Sequence, residues 1–229
     1  MSKDTIHLIT LSGNSKRFTD KGYSHKAVTE MCGTSMIGTF VSSFKDFNDY
    51  ESIFLCREED LQNYDIENEI TNHCNKAKVL AIPSNNLGPV YSISQIFPYL
   101  DDDKQILVSY IDTLQKTTIS DMLQEFDGYD AGATMHNFNN PHWRSSKSYC
   151  LIEHDGDMNI KHVREKHPFT NEDFLDPNKG GSSGNYFFKS CGTMKEYFSF
   201  LMDNNIVVNN EFYVTQAIEH MVNDGFKVR

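Results

Sequence analysis

Short runs rich in β-branched and other apolar residues alternate along this sequence with longer segments of helical periodicity. In the first half the runs lie at residues 6–11 (IHLITL), 52–56 (SIFLC), 78–82 (KVLAI) and 105–109 (QILVS). This alternation is typical of a parallel β-sheet with helices on its faces. The last run is almost continuously apolar, as expected for a strand at the buried centre of such a sheet. Helices are predicted between the runs, at residues 37–47, 58–74 and 90–100.

The second half of the chain has a different strand pattern. Residues 130–136, 149–154 and 159–164 are predicted to be strands, and Asp155-Gly156-Asp157 reads as a hairpin turn between the last two. A small antiparallel lobe is therefore expected beside the parallel sheet.

The other segments of the second half are assigned from composition and periodicity. Residues 167–183 are polar and contain Gly180-Gly181, so we interpret them as a loop that leads into a strand at 185–189. Two helices are predicted at 193–203 and 211–223, the first with an apolar stripe at 3–4 residue spacing that faces the core. The chain is thus expected to be a single α/β domain, with a mostly parallel central sheet flanked by helices.

Composition excludes several classes of protein. Lys and Arg total 21 while Asp and Glu total 32, and the net charge of −11 is opposite to the basic footprint of nucleic-acid binding. The sequence contains neither the roughly 20 consecutive apolar residues of a membrane span nor the apolar core of a signal peptide. Five scattered cysteines form no CxxC pair, which favours reduced thiols. We expect a cytoplasmic protein with neither nucleic-acid binding nor membrane insertion.

The segment after the first predicted strand is the most informative for function. Residues 12–18 (SGNSKRF) place small residues and two cations at the carboxyl end of that strand, where open α/β sheets bind ligands. Gly13 would let the backbone approach a phosphate, and Lys16 and Arg17 could make charge-assisted contacts with it. Taken alone, the pattern also fits a solvated turn.

Residues 11–37 (LSGNSKRFTDKGYSHKAVTEMCGTSMI) resemble the opening of the sugar-phosphate nucleotidyltransferases of glycosyltransferase-A type, and more closely their bacterial capsule and surface-glycan branch. The residues that match in place are Arg17, Phe18, Gly22, Tyr23, Lys26, Gly33, Met36 and Ile37. The resemblance continues in order through residues 88–89, 108–112, 164–166, 183–189 and 210–214, and so covers nearly the whole chain.

The resemblance implies a fold, a reaction and its substrates. The fold is a Rossmann-like nucleotidyltransferase fold in which residues 1–125 bind the nucleotide and residues 126–229 bind the acceptor. The reaction is attack of an acceptor phosphate on the α-phosphorus of an NTP, with release of pyrophosphate. CTP or UTP is favoured as donor, a phosphorylated sugar or other small metabolite as acceptor, and capsule or surface-glycan synthesis as the purpose. Mg²⁺ is the implied cofactor. Whether the protein forms a homo-oligomer stays open.

The resemblance also implies roles for single residues. Arg17 would neutralise the β- and γ-phosphates, Lys26 would bridge toward the α-phosphate, and Lys166 would meet the acceptor phosphate. Asp112 would be the Mg²⁺ ligand. The expected nucleotide-binding residues are Leu11, Ser12, Gly13, Asn14, Ser15, Lys16, Gly88 and Pro89. Those expected to line the acceptor pocket are Gly184, Tyr186 and Glu211, and a further acceptor contact is suggested in residues 139–144, around Trp143.

The sequence departs from the family pattern at several places. Ser15 replaces a second glycine of the loop, Lys16 replaces a small hydroxyl residue, and His25 stands where a proline normally precedes the lysine. The sequence ends at Arg229, before the segment in which many relatives carry a second metal-binding aspartate. Two rival functions therefore stay open: a homologue that binds nucleotide without turnover, and a metal-dependent glycosyltransferase that uses a nucleotide sugar.

Two of the residue assignments have simple structural alternatives. Asp112 could instead cap a helix near Thr117, and Lys166 could form a surface pair with Glu165. An Asp-x-Asp pattern at residues 101–103 resembles the metal motif of nucleotide-sugar glycosyltransferases, but it precedes its strand and is interpreted as a solvated turn. Tyr186, which the resemblance places at the acceptor pocket, is from its own sequence context interpreted as a core residue.

Overall fold

Apolar strands and amphipathic helices alternate through the computed structural model, which describes residues 5–137 and 149–229. The strands are β1 (Thr5–Leu11), β2 (Glu30–Met31), β3 (Thr34–Ser35), β4 (Glu51–Arg57), β5 (Lys78–Ile82), β6 (Gln105–Tyr110), β7 (Ala131–His136), β8 (Leu151–His154), β9 (Ile160–Arg164) and β10 (Lys179–Phe188). The helices are α1 (Lys16–Thr19), α2 (Met36–Ser43), α3 (Glu58–Asn63), α4 (Ile66–His73), α5 (Pro89–Ser94), α6 (Ile119–Glu125), α7 (Asn171–Leu175), α8 (Cys191–Asp203) and α9 (Val214–Asn223).

Eight of these strands form one sheet in the order β5-β4-β1-β6-β10-β8-β9, with β7 paired to β10. β5, β4, β1 and β6 are parallel neighbours, whereas β10 runs antiparallel to β6, β7 and β8. β8 and β9 form the predicted antiparallel hairpin. The expected class, a parallel central sheet flanked by helices and extended by an antiparallel lobe, is confirmed. Among the helices of the described ranges, none is long and apolar enough to cross a membrane.

The central strands are buried on both faces because helices cover each of them. On one face Leu8 and Val108 pack with α5, α8 and α9, and on the other Ile9 and Leu107 pack with α2, α4 and α6. Successive residues of a strand point to opposite faces, so strands covered on both sides are apolar throughout. The predicted stripe of α8 contributes to the first of these clusters, its members being Met194, Tyr197, Phe198, Leu201 and Met202.

A buried row of polar side chains joins the parallel and antiparallel parts of the sheet. His7 Nε2 lies 2.8 Å from Ser109 Oγ, which donates to Asn185 Oδ1 at 2.7 Å. Asn185 Nδ2 donates in turn to Thr134 Oγ1 at 3.2 Å. Burial lowers the pKa of His7 to about 3, so its ring is neutral near pH 7. This row links β1, β6, β10 and β7 side by side, and its hydrogen bonds form only in this strand register.

The prediction of a loop over residues 167–183 is wrong for much of that segment. Thr170 and Asp173 cap each other's backbone and begin α7. Lys179 begins β10, in which Gly180 pairs with β8. A Cβ on Gly180 would lie 2.6 Å from the carbonyl oxygen of His136, so this glycine allows a close approach of two strands. At Gly180, the glycine that suggested a loop therefore reflects close packing.

Three helices of the first half are shorter than predicted. α2 ends at Ser43, and the segment predicted as one helix over 58–74 is divided into α3 and α4 by Tyr64, whose backbone is extended. α5 ends at Ser94, because Pro98 has no N–H to donate to the Ser94 carbonyl and its ring would collide with it. Periodicity continues across each break, so it gives no sign of where the helix stops.

Gly180→Ala tests the close packing of β10. The new methyl group would press on the His136 backbone, and we expect it to lower the free energy of unfolding by about 1–3 kcal/mol, as overpacking does. Gly192→Ala in α8 is the matched control, because its Cβ would meet Asp102 atoms at an ordinary 3.4 Å. Urea denaturation measures both variants. Equal stability of the two variants would contradict the close packing of β10 against the His136 backbone.

Candidate functional site

The carboxyl ends of β1 and β6 open onto a cleft of about 210 Å³. Parallel pairing places Thr10 opposite Tyr110, so the loops that follow the two strands emerge side by side. Eight residues predicted from the sequence line this cleft: Ser12, Gly13, Asn14, Lys26, Gly88, Pro89, Asp112 and Glu211. The ligand-binding edge expected for an open α/β sheet is therefore where these residues converge.

The loop after β1 is shaped by its own short-range bonds. Asn14 Oδ1 accepts a hydrogen bond from the Lys16 amide at 3.1 Å, and Ser15 adopts a left-handed conformation at φ 52°. The Gly13 position is exposed, and a Cβ there would have no neighbour within 4 Å. Its backbone is thus open to a ligand from the cleft side. Lys16 and Arg17 are exposed on α1 and do not line the cleft.

An ion pair of opposite charges crosses the cleft. Lys26 Nζ lies 3.8 Å from Asp112 Oδ2, and the Asp112 side chain keeps 45% of its surface exposed. Lys26 begins a 3₁₀ turn (Lys26–Val28), and Asp112 follows the end of β6 by two residues. A cation and an accessible carboxylate are therefore presented to the same volume.

Asp112 does not cap the helix that follows it. The first turn of α6 is capped by Thr118, whose hydroxyl accepts a hydrogen bond from the Asp121 amide at 2.9 Å. The two carboxylate oxygens of Asp46 accept from the amides of Ile119 and Ser120 at 2.7 and 2.9 Å. The capping alternative for Asp112 is thus excluded, and its carboxylate remains available to the cleft.

The loop that carries Gly88 is fixed to the segment that carries Glu211. Gly88 has φ +90°, and a Cβ there would lie 2.6 Å from the Phe212 carbonyl oxygen. The Phe212 amide donates to the Leu87 carbonyl at 2.8 Å, and its own carbonyl accepts from the Val90 amide at 3.2 Å. Only glycine fits this backbone approach. The two halves of the chain consequently meet along one wall of the cleft.

Lys166 lies within a cluster of polar groups next to that wall. Its Nζ is 3.5 Å from Glu165 Oε1 and 4.9 Å from the centre of the Tyr213 ring. The Tyr213 hydroxyl donates to Glu211 Oε2, and burial together with this bond raises the pKa of the phenol. Thr215 Oγ1 donates to Glu165 Oε2 at 2.5 Å. Glu165 is nearly buried, so the pair is more than the surface contact considered from the sequence.

Three of the predicted residues contribute through packing. The Leu11 side chain is fully buried in the core, which leaves only its backbone for a ligand. Tyr186 is buried as expected, with its ring 5.6 Å from the Tyr110 ring and its hydroxyl 2.8 Å from Ser182 Oγ. A Cβ on Gly184 would lie 3.2 Å from the Tyr110 ring. Gly184 and Tyr186 therefore support Tyr110, which lines the cleft.

Six residues of the cleft wall were missed from the sequence: Thr10, Asn85, Asn86, Ser92, Tyr110 and Tyr213. Tyr110 and Tyr213 lie in segments 108–112 and 210–214, which carry the family resemblance, but nothing in the sequence shows that their side chains face the same cleft. Asn85 holds its loop, because its Oδ1 accepts from the Leu87 amide at 3.1 Å. The suggested acceptor segment at 139–144, with Trp143, lies outside the described residues.

The carboxylates of the cleft suit a metal site in which the bound substrate supplies some of the ligands. In residues 5–137 and 149–229, no three His, Cys, Asp or Glu side chains are grouped so that they could hold a metal ion. Mg²⁺ commonly binds through one or two carboxylates, water and substrate phosphates. Asp112 fits that mode, because its carboxylate is exposed in the cleft beside the open Gly13 backbone.

Known structures share this fold, although no family model and no curated protein matches the sequence. A nucleoside-diphosphate-sugar pyrophosphorylase from Vibrio cholerae is 17% identical and superposes with a TM-score of 0.75 over 98% of this chain and 90% of its own. A UDP-glucose pyrophosphorylase in complex with UDP-glucose is 16% identical, with a TM-score of 0.71 over 99% and 89%. An inositol-1-phosphate CTP transferase from T. maritima is 14% identical, with a TM-score of 0.68 over 100% and 85%. At these identities the likeness shows the fold.

Thr215→Val tests whether the Glu165 carboxylate depends on its buried donor. Valine has nearly the shape of threonine but cannot donate to Glu165, so we expect the free energy of unfolding to fall by about 1–3 kcal/mol. Thr215→Ser keeps the hydroxyl and is the control. Thermal and urea unfolding measure both variants, and a Val variant as stable as the wild type would show that the bond contributes nothing.

Proposed function

We propose that the protein is a nucleotidyltransferase that transfers NMP from an NTP to a phosphorylated sugar or other small metabolite and releases pyrophosphate. The observation that carries this proposal is the convergence of the Gly13 backbone, Lys26 and Asp112 on one cleft at the carboxyl ends of β1 and β6. An exposed glycine backbone, a cation and a carboxylate are the groups needed to bind a metal–triphosphate. The fold shared with known pyrophosphorylases supports the same conclusion.

The nucleotide occupies the side of the cleft formed by residues 1–125. The amides of the Ser12–Ser15 loop cradle the phosphates, Arg17 and Lys16 reach the β- and γ-phosphates from α1, and the base lies against the Gly88-Pro89 wall. CTP or UTP is the proposed donor, and synthesis of a capsule or surface glycan the proposed role. The proposed donor and the proposed role both rest on the sequence resemblance. The choice of donor also agrees with the fold shared with an inositol-1-phosphate CTP transferase.

The acceptor occupies the side formed by residues 126–229. Lys166 carries the positive charge for the acceptor phosphate, and its ammonium group is held near the Tyr213 ring and Glu165. Glu211 lies in the cleft wall and accepts from the Tyr213 hydroxyl, which leaves its second carboxylate oxygen for an acceptor hydroxyl. Such contacts hold the attacking phosphate in line with the α-phosphorus, and positioning of this kind supplies much of the rate.

Charge neutralisation supplies the remainder of the proposed rate enhancement. Lys26 is proposed to bridge toward the α-phosphate and to stabilise the negative charge that develops there, and Asp112, 3.8 Å from it, is the proposed ligand of Mg²⁺. When bound, Mg²⁺ would neutralise the triphosphate and stabilise the leaving pyrophosphate. Lys26 and Asp112 lie close enough to neutralise each other before substrate binds, so the cleft presents a balanced pair in the absence of nucleotide.

Geometry does not favour a glycosyltransferase that holds its metal at residues 101–103. That turn precedes β6, whereas the cleft lies beyond the other end of this six-residue strand, roughly 20 Å away at about 3.3 Å per residue. Asp102 is also paired with Lys195 Nζ at 2.5 Å. The turn is therefore a structural feature at the opposite edge of the sheet.

Asp112→Asn and Arg17→Ala test the proposed reaction. We expect each to lower the rate of pyrophosphate release by about 10²–10³, since each removes a charge that acts on the reacting phosphates. The assay supplies Mg²⁺, the four common NTPs, and a panel of sugar phosphates, phosphocholine and phosphorylated amino acids. Asp102→Asn, at the other end of β6, is the matched control and should keep the wild-type rate.

The same panel, extended with nucleotide sugars and with thermal unfolding in the presence of each NTP, separates the rival functions. Stabilisation by an NTP without pyrophosphate release from any acceptor would support a homologue that binds nucleotide without turnover. Consumption of a nucleotide sugar without NTP would support a glycosyltransferase. Wild-type turnover by Asp112→Asn would contradict the assignment of the metal ligand.

Removal of divalent metal tests the metal requirement directly. We expect excess EDTA to abolish pyrophosphate release, because Asp112 and the triphosphate together carry negative charge that needs a cation. Addition of Mg²⁺ beyond the chelator should restore the rate in the wild type and only weakly in Asp112→Asn. Full activity in EDTA would contradict metal-assisted transfer.

A further inference from the structure

A buried chain of charged and polar side chains begins at His25, the residue that precedes Lys26. The His25 ring is 1% exposed, and its Nε2 lies 3.4 Å from Asp60 Oδ2. Asp60, also buried, accepts two hydrogen bonds from Arg57, at 2.7 Å from Nε and 2.9 Å from Nη2. The Tyr64 ring packs against the imidazole at 5.3 Å. Arg57 is the last residue of β4 and Asp60 lies in α3, so this chain ties the loop of residues 20–28 to the sheet.

The other ring nitrogen of His25 acts on the backbone next to Lys26. His25 Nδ1 accepts a hydrogen bond from the Ala27 amide at 3.2 Å and so caps the 3₁₀ turn that begins with Lys26. Because Nδ1 accepts, the ring proton lies on Nε2, on the side of Asp60. One imidazole therefore lies between the turn that carries the lysine of the cleft, which it caps, and a buried carboxylate, which its Nε2 approaches to 3.4 Å without a hydrogen bond.

This arrangement is specific to the histidine. A proline, the residue that the resembling family has at this position, offers no side-chain acceptor for the Ala27 amide and no group for Asp60. Burial acts to raise the pKa of Asp60, yet His25 and Arg57 hold it below its ordinary value, so the carboxylate stays charged. A buried carboxylate of this kind needs its partners, because a lost partner leaves an uncompensated charge.

We propose that His25 is a positioning residue, which with Asp60 and Arg57 fixes the 3₁₀ turn of Lys26 and holds the Lys26 ammonium group at the reacting phosphate. The expected effect of His25 on the rate rests on the proposed function. The capping of the Ala27 amide by His25 is independent of that function. His25 does not line the cleft and is almost fully buried, so it acts through Lys26 and not on the substrate.

The test compares His25→Ala, Lys26→Ala and the double variant in pyrophosphate release. His25→Ala should lower kcat on the order of tenfold to a hundredfold with little change in KM for the NTP, as misplacement by about 1 Å does. Because His25 acts through Lys26, the double variant should be no slower than Lys26→Ala alone. Multiplied losses in the double variant would overturn the proposal. An unchanged rate in Lys26→Ala would instead overturn the proposed function of that lysine.

His25→Asn is the conservative rescue. An asparagine oxygen can cap the Ala27 amide, since asparagine is a favoured capping residue, so this variant should recover a large part of the lost kcat. Melting temperatures of all variants are measured alongside. If Asn restores stability without restoring kcat, the residue has a structural role only, and the proposal fails.

Hydrogen exchange of the Ala27 amide tests the capping without any substrate. We expect exchange to be at least tenfold faster in His25→Ala than in the wild type or His25→Asn, under conditions in which all three are folded. Equal exchange in His25→Ala and the wild type would overturn the proposal even for a protein that shows no turnover.

Discussion

The parallel pairing of β1 with β6 is the constraint on which the site depends. Its register places Thr10 opposite Tyr110, so the Gly13 loop and the Asp112 loop leave the sheet at the same edge. Both strands are apolar enough to be buried on two faces, and helices then cover them. The hydrophobic effect thus fixes the strands, and backbone hydrogen bonds fix their register. The groups proposed to bind phosphate converge as a consequence of both.

The antiparallel lobe supplies the second wall of the cleft. β10 pairs with β6 along Asn185–Phe188, and the buried His7–Ser109–Asn185 row holds the strands in register. Gly88 and the Phe212 backbone close the wall by direct contact. The proposed nucleotide and acceptor sides are therefore parts of one continuous packed structure, and a change in the lobe would be felt in the cleft.

The sequence was sufficient to predict the parallel strands and most of the cleft, because apolar runs mark buried strands and ligands bind beyond their carboxyl ends. Eight residues assigned from the sequence line the cleft. The sequence was insufficient where the role of a residue depends on a partner that is distant in the chain. Gly180 was interpreted as part of a loop, because its close approach to the His136 backbone, 44 residues away in sequence, cannot be seen in the local pattern. His25 stood out only as a departure from the family pattern, since Asp60, which faces it, lies 35 residues further along the chain.

The fate of labelled phosphates tests the central claim most directly. CTP or UTP labelled at the α-phosphate, and the same nucleotide labelled at the γ-phosphate, are incubated with Mg²⁺ and each phosphorylated acceptor. The account predicts that the α-label enters an acceptor product while the γ-label leaves in pyrophosphate. Release of the γ-label as inorganic phosphate, with no transfer of the α-label to any acceptor, would contradict it.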